Sequence, residues 1–234
     1  MKESTHLSQA SSIDMARYGS DHNPRYEYLE GLIRSLGLPA DAKVLDIGSS
    51  MFTLRLADLF DDVSTLGLAD ARELICAMPD KIRHIAFDLN DSREKGRWIE
   101  LPKFDLIVFA EVIEHLPTAP QQVLRFLASG LSPRGFLVVQ TPNAVSLDKR
   151  IKMLAGINPY EMIREEWTNP GHFREYTRSE LVSLAKESGF ATVRHEFRSY
   201  FRSPRLGMRL VDFLVAPFPR LRRGQTAVFR LQSK

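Results

Sequence analysis

The sequence is poor in cysteine and contains no long apolar run. Its 234 residues include one cysteine, Cys76, which excludes an internal disulfide and a metal site made of several thiolates. No stretch approaches the roughly 20 consecutive apolar residues of a membrane-spanning helix. The opening residues, MKESTHLSQASS, lack the apolar core of a signal peptide. These absences lead us to expect a cytoplasmic protein without a transmembrane segment.

The sequence also has little net charge, but its positive charge is concentrated in one segment. The formal net charge is +3, whereas residues 194–223 hold eight arginines and two acidic residues, which gives +6. Because guanidinium groups bind phosphates and carboxylates through paired hydrogen bonds, this segment is a candidate contact for an anionic partner. That partner would be a phosphate-bearing substrate or an acidic membrane, and the latter would make the protein peripheral to the membrane. The plainer interpretation is a solvated basic face.

Short apolar runs alternate with helical stretches along most of the chain. The runs are KVLDIG, VSTLGL, IRHIAFD, FDLIVFA, GFLVVQT, ATVRHEFRSYF and TAVFRLQ. Runs this apolar are typical of strands buried on both faces, as in a parallel sheet covered by helices. The order of elements therefore predicts an α/β fold with a doubly wound, Rossmann-like sheet. Its last two strands can pair antiparallel and close a mixed sheet.

The sequence pattern divides the chain into an N-terminal arm and one domain. Residues 1–23 are polar and lack apolar periodicity, which predicts a flexible arm. Residues 24–234 form the single predicted domain. Within it, residues 144–171 contain no clear strand, and we expect a cap-like insertion there. It would lie above the carboxyl edge of the sheet, where ligands of such folds bind.

An acidic residue follows each of the first three predicted strands. Asp46 and Gly48 lie in VLDIGSS, where glycine allows a tight turn and backbone N–H groups can bind a ligand's polar tail. Asp70 follows the second strand, and a carboxylate there can accept both hydrogen bonds of a ribose diol. Asp88 follows the third strand, where it could accept from an adenine amino group. A single turn of this kind is common in α/β proteins, so the prediction of a ligand site depends on all three acidic residues together.

The segment FDLIVFAEVIEHLP places two carboxylates and an imidazole after the fourth strand. If the chain is helical there, Glu111, Glu114 and His115 fall on one face. Ion pairing or helix capping is the plainer interpretation. The functional interpretation places these groups where the acceptor atom of a substrate would lie.

Together these motifs resemble the class I S-adenosylmethionine-dependent methyltransferases, especially the group that includes the ubiquinone-pathway O-methyltransferases. The matching pieces, in the family's order between about residues 40 and 195, are VLDIG, Asp70, FDLN, FDLIVFAEVIEHL, LSPRGFLVVQTPN and HFREYTRSELVSLAKESGF. The resemblance implies a seven-stranded sheet with a reversed last strand and S-adenosylmethionine as the cofactor. It implies that Asp46, Gly48 and Ser49 flank the methionine part of the cofactor. Asp70 would hold the ribose, and Asp88–Leu89 would hold the adenine.

One loop departs from the family's pattern. After the first strand the family usually reads D-x-G-x-G-x-G, and here Ser50 and Phe52 stand where two glycines are expected. Side chains at these positions crowd the space that a backbone needs to approach a ligand. Because of this departure, a non-catalytic relative of these methyltransferases is an alternative to an active enzyme.

The resemblance implies methyl transfer to an oxygen atom of a small molecule or a glycan, lipid-linked acceptors included. The stretch NPGHFREYT is similar to methyltransferases from bacterial surface-glycan gene clusters. An acceptor hydroxyl must lose a proton, and the pKa of imidazole lies near neutrality. His115 is therefore the first candidate for the base and His172 the second. Glu111 would orient the base or the acceptor.

A second resemblance concerns a metal. Small-RNA 3′-terminal 2′-O-methyltransferases hold Mg²⁺ with an E-x-x-E-H segment and a later histidine, a pattern matched by Glu111, Glu114, His115 and His172. This makes metal-assisted RNA methylation an alternative, with a divalent ion as a second cofactor. We do not favour it, because two histidines suit a softer ion than Mg²⁺. Only the arginine-rich segment offers a basic surface for nucleic acid.

Overall fold

A computed structural model describes residues 23–69, 78–165, 170–200 and 211–232. Several sequence-based predictions concern residues outside these ranges. They are the arm up to residue 22, the ribose contact of Asp70, and residues 201–210 of the arginine-rich segment.

The described residues contain a seven-stranded mixed sheet. The strands are β1 (Lys43–Ile47), β2 (Asp62–Gly67), β3 (Arg83–Ala86), β4 (Phe104–Ala110), β5 (Leu131–Pro142), β6 (Phe190–Arg198) and β7 (Gly224–Leu231). Their order is β3-β2-β1-β4-β5-β7-β6. Strands β1 to β5 pair parallel, and β7 pairs antiparallel with both β5 and β6. The predicted Rossmann-like sheet with a reversed last strand is confirmed.

Helices cover both faces of the sheet, as a doubly wound fold requires. They are α1 (residues 23–34), α2 (Met51–Ala57), α3 (Pro120–Gly130), α4 (Leu147–Leu154) and α5 (Arg178–Glu187). Side chains of α1 and α2 share one buried cluster with Leu106 and Val108 of β4. Side chains of α3 and α5 share another with Ile107 and Phe109. The alternation along β4 places its side chains in two cores, which explains why FDLIVFA is almost wholly apolar.

Local sequence signals explain where several helices begin. The Thr177 hydroxyl accepts from the backbone N–H of Glu180, whose carboxylate accepts in return from the Thr177 N–H, so α5 begins with a capping box. In α1 the apolar stripe Tyr26, Leu29 and Ile33 is buried against the sheet. Helix α4 differs, because none of its residues is buried.

The structure corrects the prediction of a helix directly after β4. Residues 111–115 are not α-helical: a short 3₁₀ helix spans Ile113–His115, and Glu111 precedes it with φ of +56°. The chain must turn sharply at the end of β4 and cannot present Glu111 on a helical face. Where the 144–171 insertion is described, it contains α4 and no strand. No helix among the described residues is long and apolar enough to cross a bilayer.

Candidate active site

The carboxyl ends of β1 and β4 lie side by side, since Asp46 pairs with Val108 across the two strands. In a doubly wound sheet the ligand crevice forms where the strand order reverses, which here is between β1 and β4. A cavity of about 140 Å³ opens at this point. Its lining includes three residues predicted from sequence, Asp46, Gly48 and Ser49, together with Arg25 and Glu111. We refer to it as the donor cavity.

The loop from β1 to α2 gives the donor cavity its shape. Gly48 has φ of +81°, a conformation that glycine adopts without the steric cost of a Cβ atom. Its N–H donates to the Leu66 carbonyl at 2.9 Å, which ties the turn to β2. The Ser49 hydroxyl is buried, and no residue in the described part of the chain hydrogen-bonds to it. A buried orphan hydroxyl beside a cavity fits a polar ligand group.

Asp46 is buried and hydrogen-bonded within this loop. It is 3% exposed, and the Thr53 hydroxyl donates to its Oδ2 at 2.6 Å. Burial raises the pKa of Asp46 to about 7, which the bond from Thr53 and the nearby charge of Arg25 only partly offset. Thr53 Oγ1 also accepts from the Ser50 N–H at 2.9 Å. The carboxyl of Asp46 is thus positioned by the first turn of α2.

The two residues that depart from the family's glycine pattern have structural roles. The Ser50 hydroxyl accepts from the Phe52 N–H at 3.1 Å and forms the N-cap of α2. The Phe52 ring is buried and stacks on Tyr26 of α1 at 5.5 Å between centroids. Both residues still border the donor cavity. The side chains therefore stabilise the start of α2 and its contact with α1.

Arg25 joins the donor cavity from α1 and was not predicted from sequence. Its side chain is 4% exposed, and its Nη1 donates weakly to Gln140 Oε1 at 3.4 Å. No group in the described residues hydrogen-bonds to its Nε. A buried guanidinium with an unmet donor favours an anionic ligand group. The sequence carries one signal for the burial of Arg25. It stands four residues before Leu29, which places it on the buried face of α1.

The predicted adenine-binding residues lie at the end of β3 and do not line the donor cavity. Asp88 is the N-cap of a 3₁₀ helix that spans Leu89–Arg93, and its Oδ1 accepts from the Asn90 N–H at 2.9 Å. Leu89 is buried in the core beneath it. The order β3-β2-β1 places Asp88 two strands away from Asp46.

Two glutamates after β4, the fully buried Glu114 and the half-buried Glu111, form an acidic pair. Thr141 Oγ1 donates to Glu114 Oε2 at 3.0 Å, and Glu114 Oε1 has no hydrogen-bond partner among the described residues. Burial and the neighbouring Glu111 raise the pKa of Glu114 well above its usual range, and burial raises that of Glu111 as well. Glu111 holds the left-handed backbone conformation noted above, which is uncommon for a residue with a Cβ atom and clusters at functional sites.

The structure brings His115 and His172 together. Their rings meet edge to face with centroids 4.7 Å apart. His115 Nδ1 lies 2.9 Å from the Gly171 carbonyl, which can only accept, so Nδ1 carries a hydrogen and Nε2 is the ring nitrogen left for another contact. His172 Nδ1 lies 3.2 Å from Glu175 Oε1. Burial and the adjacent His115 lower the pKa of His172 to about 4, so this imidazole is neutral at pH 7.

Three of these side chains also form a group that could hold a metal. One ligand atom from each of Glu114, His115 and His172 lies within 4.8 Å of the others. The unpartnered Glu114 Oε1 supplies an oxygen donor, and the imidazoles supply nitrogen donors. This mixed set fits a divalent first-row ion such as Mn²⁺ better than Mg²⁺, which prefers oxygen ligands.

A second cavity, of about 420 Å³, lies beside the donor cavity. We call it the acceptor cavity; its lining includes Arg25, Glu111, His115, Asp148, Lys149, His172, Glu175, Tyr200 and Arg223. It shares Arg25 and Glu111 with the donor cavity. The two cavities are therefore neighbours separated by these side chains.

Sequence reasoning missed the ion pair on the wall of the acceptor cavity. Lys149, from the first turn of α4, donates to Glu175, and both side chains are largely buried. Burial lowers the pKa of Lys149 to about 8. Glu175 also contacts His172, so it holds a lysine and an imidazole in place. No local motif marks Lys149 or Glu175, because 26 residues separate them in the chain.

A family model described as a methyltransferase domain matches residues 20–195. No curated protein matches the chain. One similar solved structure is an S-adenosylmethionine-dependent methyltransferase from Archaeoglobus fulgidus, 15% identical, with a TM-score of 0.58 and coverage of 91% of this chain and 97% of that one. Another is the N-methyltransferase NodS from Bradyrhizobium japonicum in complex with S-adenosyl-L-homocysteine, 17% identical, with a TM-score of 0.58 and coverage of 95% and 99%. At these identities the likeness shows a shared fold.

Proposed function

This chain belongs to the methyltransferase-domain family and is a class I S-adenosylmethionine-dependent methyltransferase, and from that premise we propose that it methylates a hydroxyl of a small-molecule or glycan acceptor. One observation supports this proposal most. A cavity with an orphan hydroxyl and an unmet guanidinium donor adjoins a cavity with two imidazoles. The first suits a polar cofactor, and the second suits removal of a proton from an acceptor.

On the donor side, each residue has a role that its surroundings support. Arg25 would bind the cofactor's carboxylate through its unmet Nε–H, and Ser49 would supply a further hydrogen bond. Asp46 would hold Thr53 and the loop in place and offer its carboxyl to the amino group of the methionine part. The proposed contacts of the ribose with Asp70 and of the adenine with Asp88–Leu89 rest on the family resemblance.

On the acceptor side, His115 is the proposed base. S-adenosylmethionine, when bound, supplies a methyl group that is already activated as a sulfonium, so the protein mainly aligns the reactants. His115 would take the hydroxyl proton at Nε2, since Nδ1–H is engaged by the Gly171 carbonyl. The bond from Gly171 fixes the ring, and Glu111 at the junction of the cavities would orient the acceptor. His172 stands beside it as the second candidate.

We propose that the acceptor has an apolar portion, which a lipid-linked glycan would supply. A cavity of about 620 Å³ adjoins the acceptor cavity through His172 and Glu175. Its apolar lining includes Val145, Met162 and Phe173 from the insertion and its end. The insertion at about 144–171 is thus proposed to cap the acceptor, and the active site would belong to one domain that begins near residue 24.

The arginine-rich segment contributes less free charge than its sequence suggests. Arg223 pairs with Asp212, and Arg222 donates to the carbonyls of Phe197 and Ala216. Arg194 and Arg198 both pair with Glu196. Arg220 is exposed. The proposal of an anionic partner at this segment is therefore supported by the exposed guanidinium of Arg220.

The test of the proposed function begins with the cofactor. Calorimetry with S-adenosyl-L-homocysteine should give micromolar dissociation constants, about 7–8 kcal/mol of binding free energy, and Asp46→Ala should abolish binding while the thermal transition persists. Methyl-labelled S-adenosylmethionine is then incubated with fractionated lipid and polar extracts, and mass spectrometry identifies the labelled product. Binding with no labelled oxygen-linked methyl in any fraction would contradict O-methylation.

A metal-assisted reaction is the second candidate, and the group of Glu114, His115 and His172 favours it. In that case His115 and His172 would be ligands and could not act as bases. Activity should then disappear in EDTA and return with Mn²⁺, whereas the metal-free reaction should be indifferent to chelator. RNA as the acceptor would give binding that weakens steeply with salt, because phosphate contacts release counterions.

A further inference from the structure

Exposed apolar side chains are concentrated in two segments of the described chain. Of thirteen large apolar residues that are exposed there, eleven lie between residues 151 and 173 or between 213 and 218. The most exposed are Leu154 at 89%, Met162 at 81% and Phe213 at 76%. Single exposed apolar residues are ordinary, but a concentration of them marks an interaction surface.

The geometry of α4 explains why its apolar side chains remain exposed. At its start, Lys149 faces the acceptor cavity and pairs with Glu175, while Arg150 Nε donates to the Val145 carbonyl. Beyond these contacts the helix extends outward, and Ile151 and Leu154 have no core to cover them. Polar contacts hold the helix in place, and burial of its apolar side chains contributes little.

The two apolar segments are anchored next to each other. The amide of Asn143, just before α4, donates to the carbonyls of Arg220 and Arg222 at 3.0 and 2.8 Å. Lys149 and Arg223 line the same cavity. The stretches 151–163 and 213–220 therefore each adjoin residues that line the acceptor cavity, Lys149 before the first and Arg223 after the second. We call these two stretches the docking face.

The charges within the docking face select its partner. Lys152 and Arg220 are exposed among the apolar side chains, and the exposed Glu161 pairs with Arg164 just beyond the first stretch. A basic and apolar surface complements an anionic bilayer, where apolar side chains enter the acyl boundary and cations meet headgroups. Two copies of the same basic face would instead repel each other.

We propose that the docking face binds the surface of an anionic phospholipid bilayer and holds the acceptor cavity at the membrane interface. The membrane contact stands independently of the reaction. The consequence for the acceptor, namely a lipid-linked molecule that enters from the bilayer, rests on the proposed function.

The full chain is tested for binding to two kinds of vesicle, one of phosphatidylcholine and phosphatidylglycerol at about 7:3 and one of pure phosphatidylcholine. Each is measured at low and at high salt. We expect binding to the anionic vesicles that weakens with salt. Lys152→Gln/Arg220→Gln should lower the affinity roughly 30-fold, at about 1 kcal/mol for each basic residue near the surface. Leu154→Glu/Phe213→Glu should abolish binding.

The matched control is Ala191→Glu/Val193→Glu, which adds the same two charges at exposed positions near the start of β6. Strand β6 runs in the same direction as β5, so its start lies at the amino ends of the parallel strands. The docking face adjoins their carboxyl ends. This variant should bind vesicles like the natural chain. Calorimetry with S-adenosyl-L-homocysteine should give unchanged affinity in all variants, which separates a failure of docking from a failure of the fold or of cofactor binding.

Three outcomes would overturn the proposal. One is equal binding to neutral and anionic vesicles, and another is full binding by Leu154→Glu/Phe213→Glu. The third is self-association in sedimentation velocity that this double variant abolishes while no vesicle binding occurs, which would assign the docking face to a second copy of the chain.

Discussion

The donor and acceptor cavities lie side by side, but they are built from different kinds of structure. Asp46, at the end of β1, and Gly48 and Ser49, in the tight turn that follows, are held by strand pairing and the cap of α2. The acceptor cavity gathers His115, His172 and Lys149 from three separate segments. The donor side is a short rigid loop at the end of a buried strand, whereas the acceptor side depends on side-chain contacts between distant stretches.

The electrostatics of the two sides differ as well. On the donor side, burial makes the ionised carboxylate of Asp46 costly. On the acceptor side, burial lowers the pKa of His172 to about 4 and that of Lys149 to about 8. Burial disfavours charge in both places. Its effect on the acceptor side is to leave the imidazole of His172, which lies against the proposed base His115, uncharged at physiological pH.

The largest expected effect concerns the acceptor side. His115→Ala should lower turnover roughly 10²–10⁴-fold, the usual contribution of a general base, while the affinity for S-adenosyl-L-homocysteine stays within about two-fold. His172→Ala should have a smaller effect on turnover, because His172 lies against His115 without being the proposed base. Steady-state rates on the acceptor found by labelling test both. A larger loss in His172→Ala than in His115→Ala would reverse the assignment.

On the donor side, Asp46→Asn should stabilise the protein in a pH-dependent way. The folded pKa of Asp46, about 7, lies above the unfolded value near 3.8, so the natural protein loses stability as pH rises from about 4 to 7. Asparagine keeps the hydrogen bond from Thr53 and has no charge to bury. At about 1.4 kcal/mol per pH unit, its advantage in unfolding free energy should grow to at most about 4 kcal/mol at pH 8 and vanish near pH 4.

Urea unfolding of both proteins at pH 4, 6 and 8 provides the measurement. Cofactor affinity is measured in parallel and should fall in Asp46→Asn, since the carboxylate is lost. A stability difference that is the same at every pH would mean that the pKa of Asp46 is not raised.

Arg25 lines both the donor cavity and the acceptor cavity. Arg25→Gln should weaken S-adenosyl-L-homocysteine binding roughly 10–100-fold, because a hydrogen bond to a charged group contributes about 1.5–3 kcal/mol. Binding of methylthioadenosine, which lacks the amino-acid part, should hardly change. Arg55→Gln is the matched control, since Arg55 also approaches the Tyr26 ring but lines neither cavity. Equal losses for both ligands would assign Arg25 a structural role.

This contrast also explains what could be predicted from the sequence. Local apolar runs predict the strands and the reversed last hairpin, and a glycine predicts the turn at Gly48. Glu111, Glu114 and His115 were expected on a helical face, but the end of β4 imposes a sharp turn. Lys149 and Glu175 have no local signature, because their roles arise from contacts between distant segments, and the spacing of Arg25 from Leu29 indicates only that Arg25 is buried.

The smallest expected effect concerns Ser50, which occupies a glycine position of the family. As the N-cap of α2, its hydroxyl accepts from the Phe52 N–H, and replacement of an N-cap serine by alanine costs about 1 kcal/mol, but by glycine only a few tenths. Ser50→Gly should therefore leave the unfolding free energy almost unchanged, while Ser50→Ala should lower it measurably. Both variants should bind S-adenosyl-L-homocysteine within about two-fold of the natural chain, because Asp46 keeps its bond to Thr53. A clear gain of affinity in Ser50→Gly, measured by calorimetry, would show instead that the serine side chain obstructs the donor cavity.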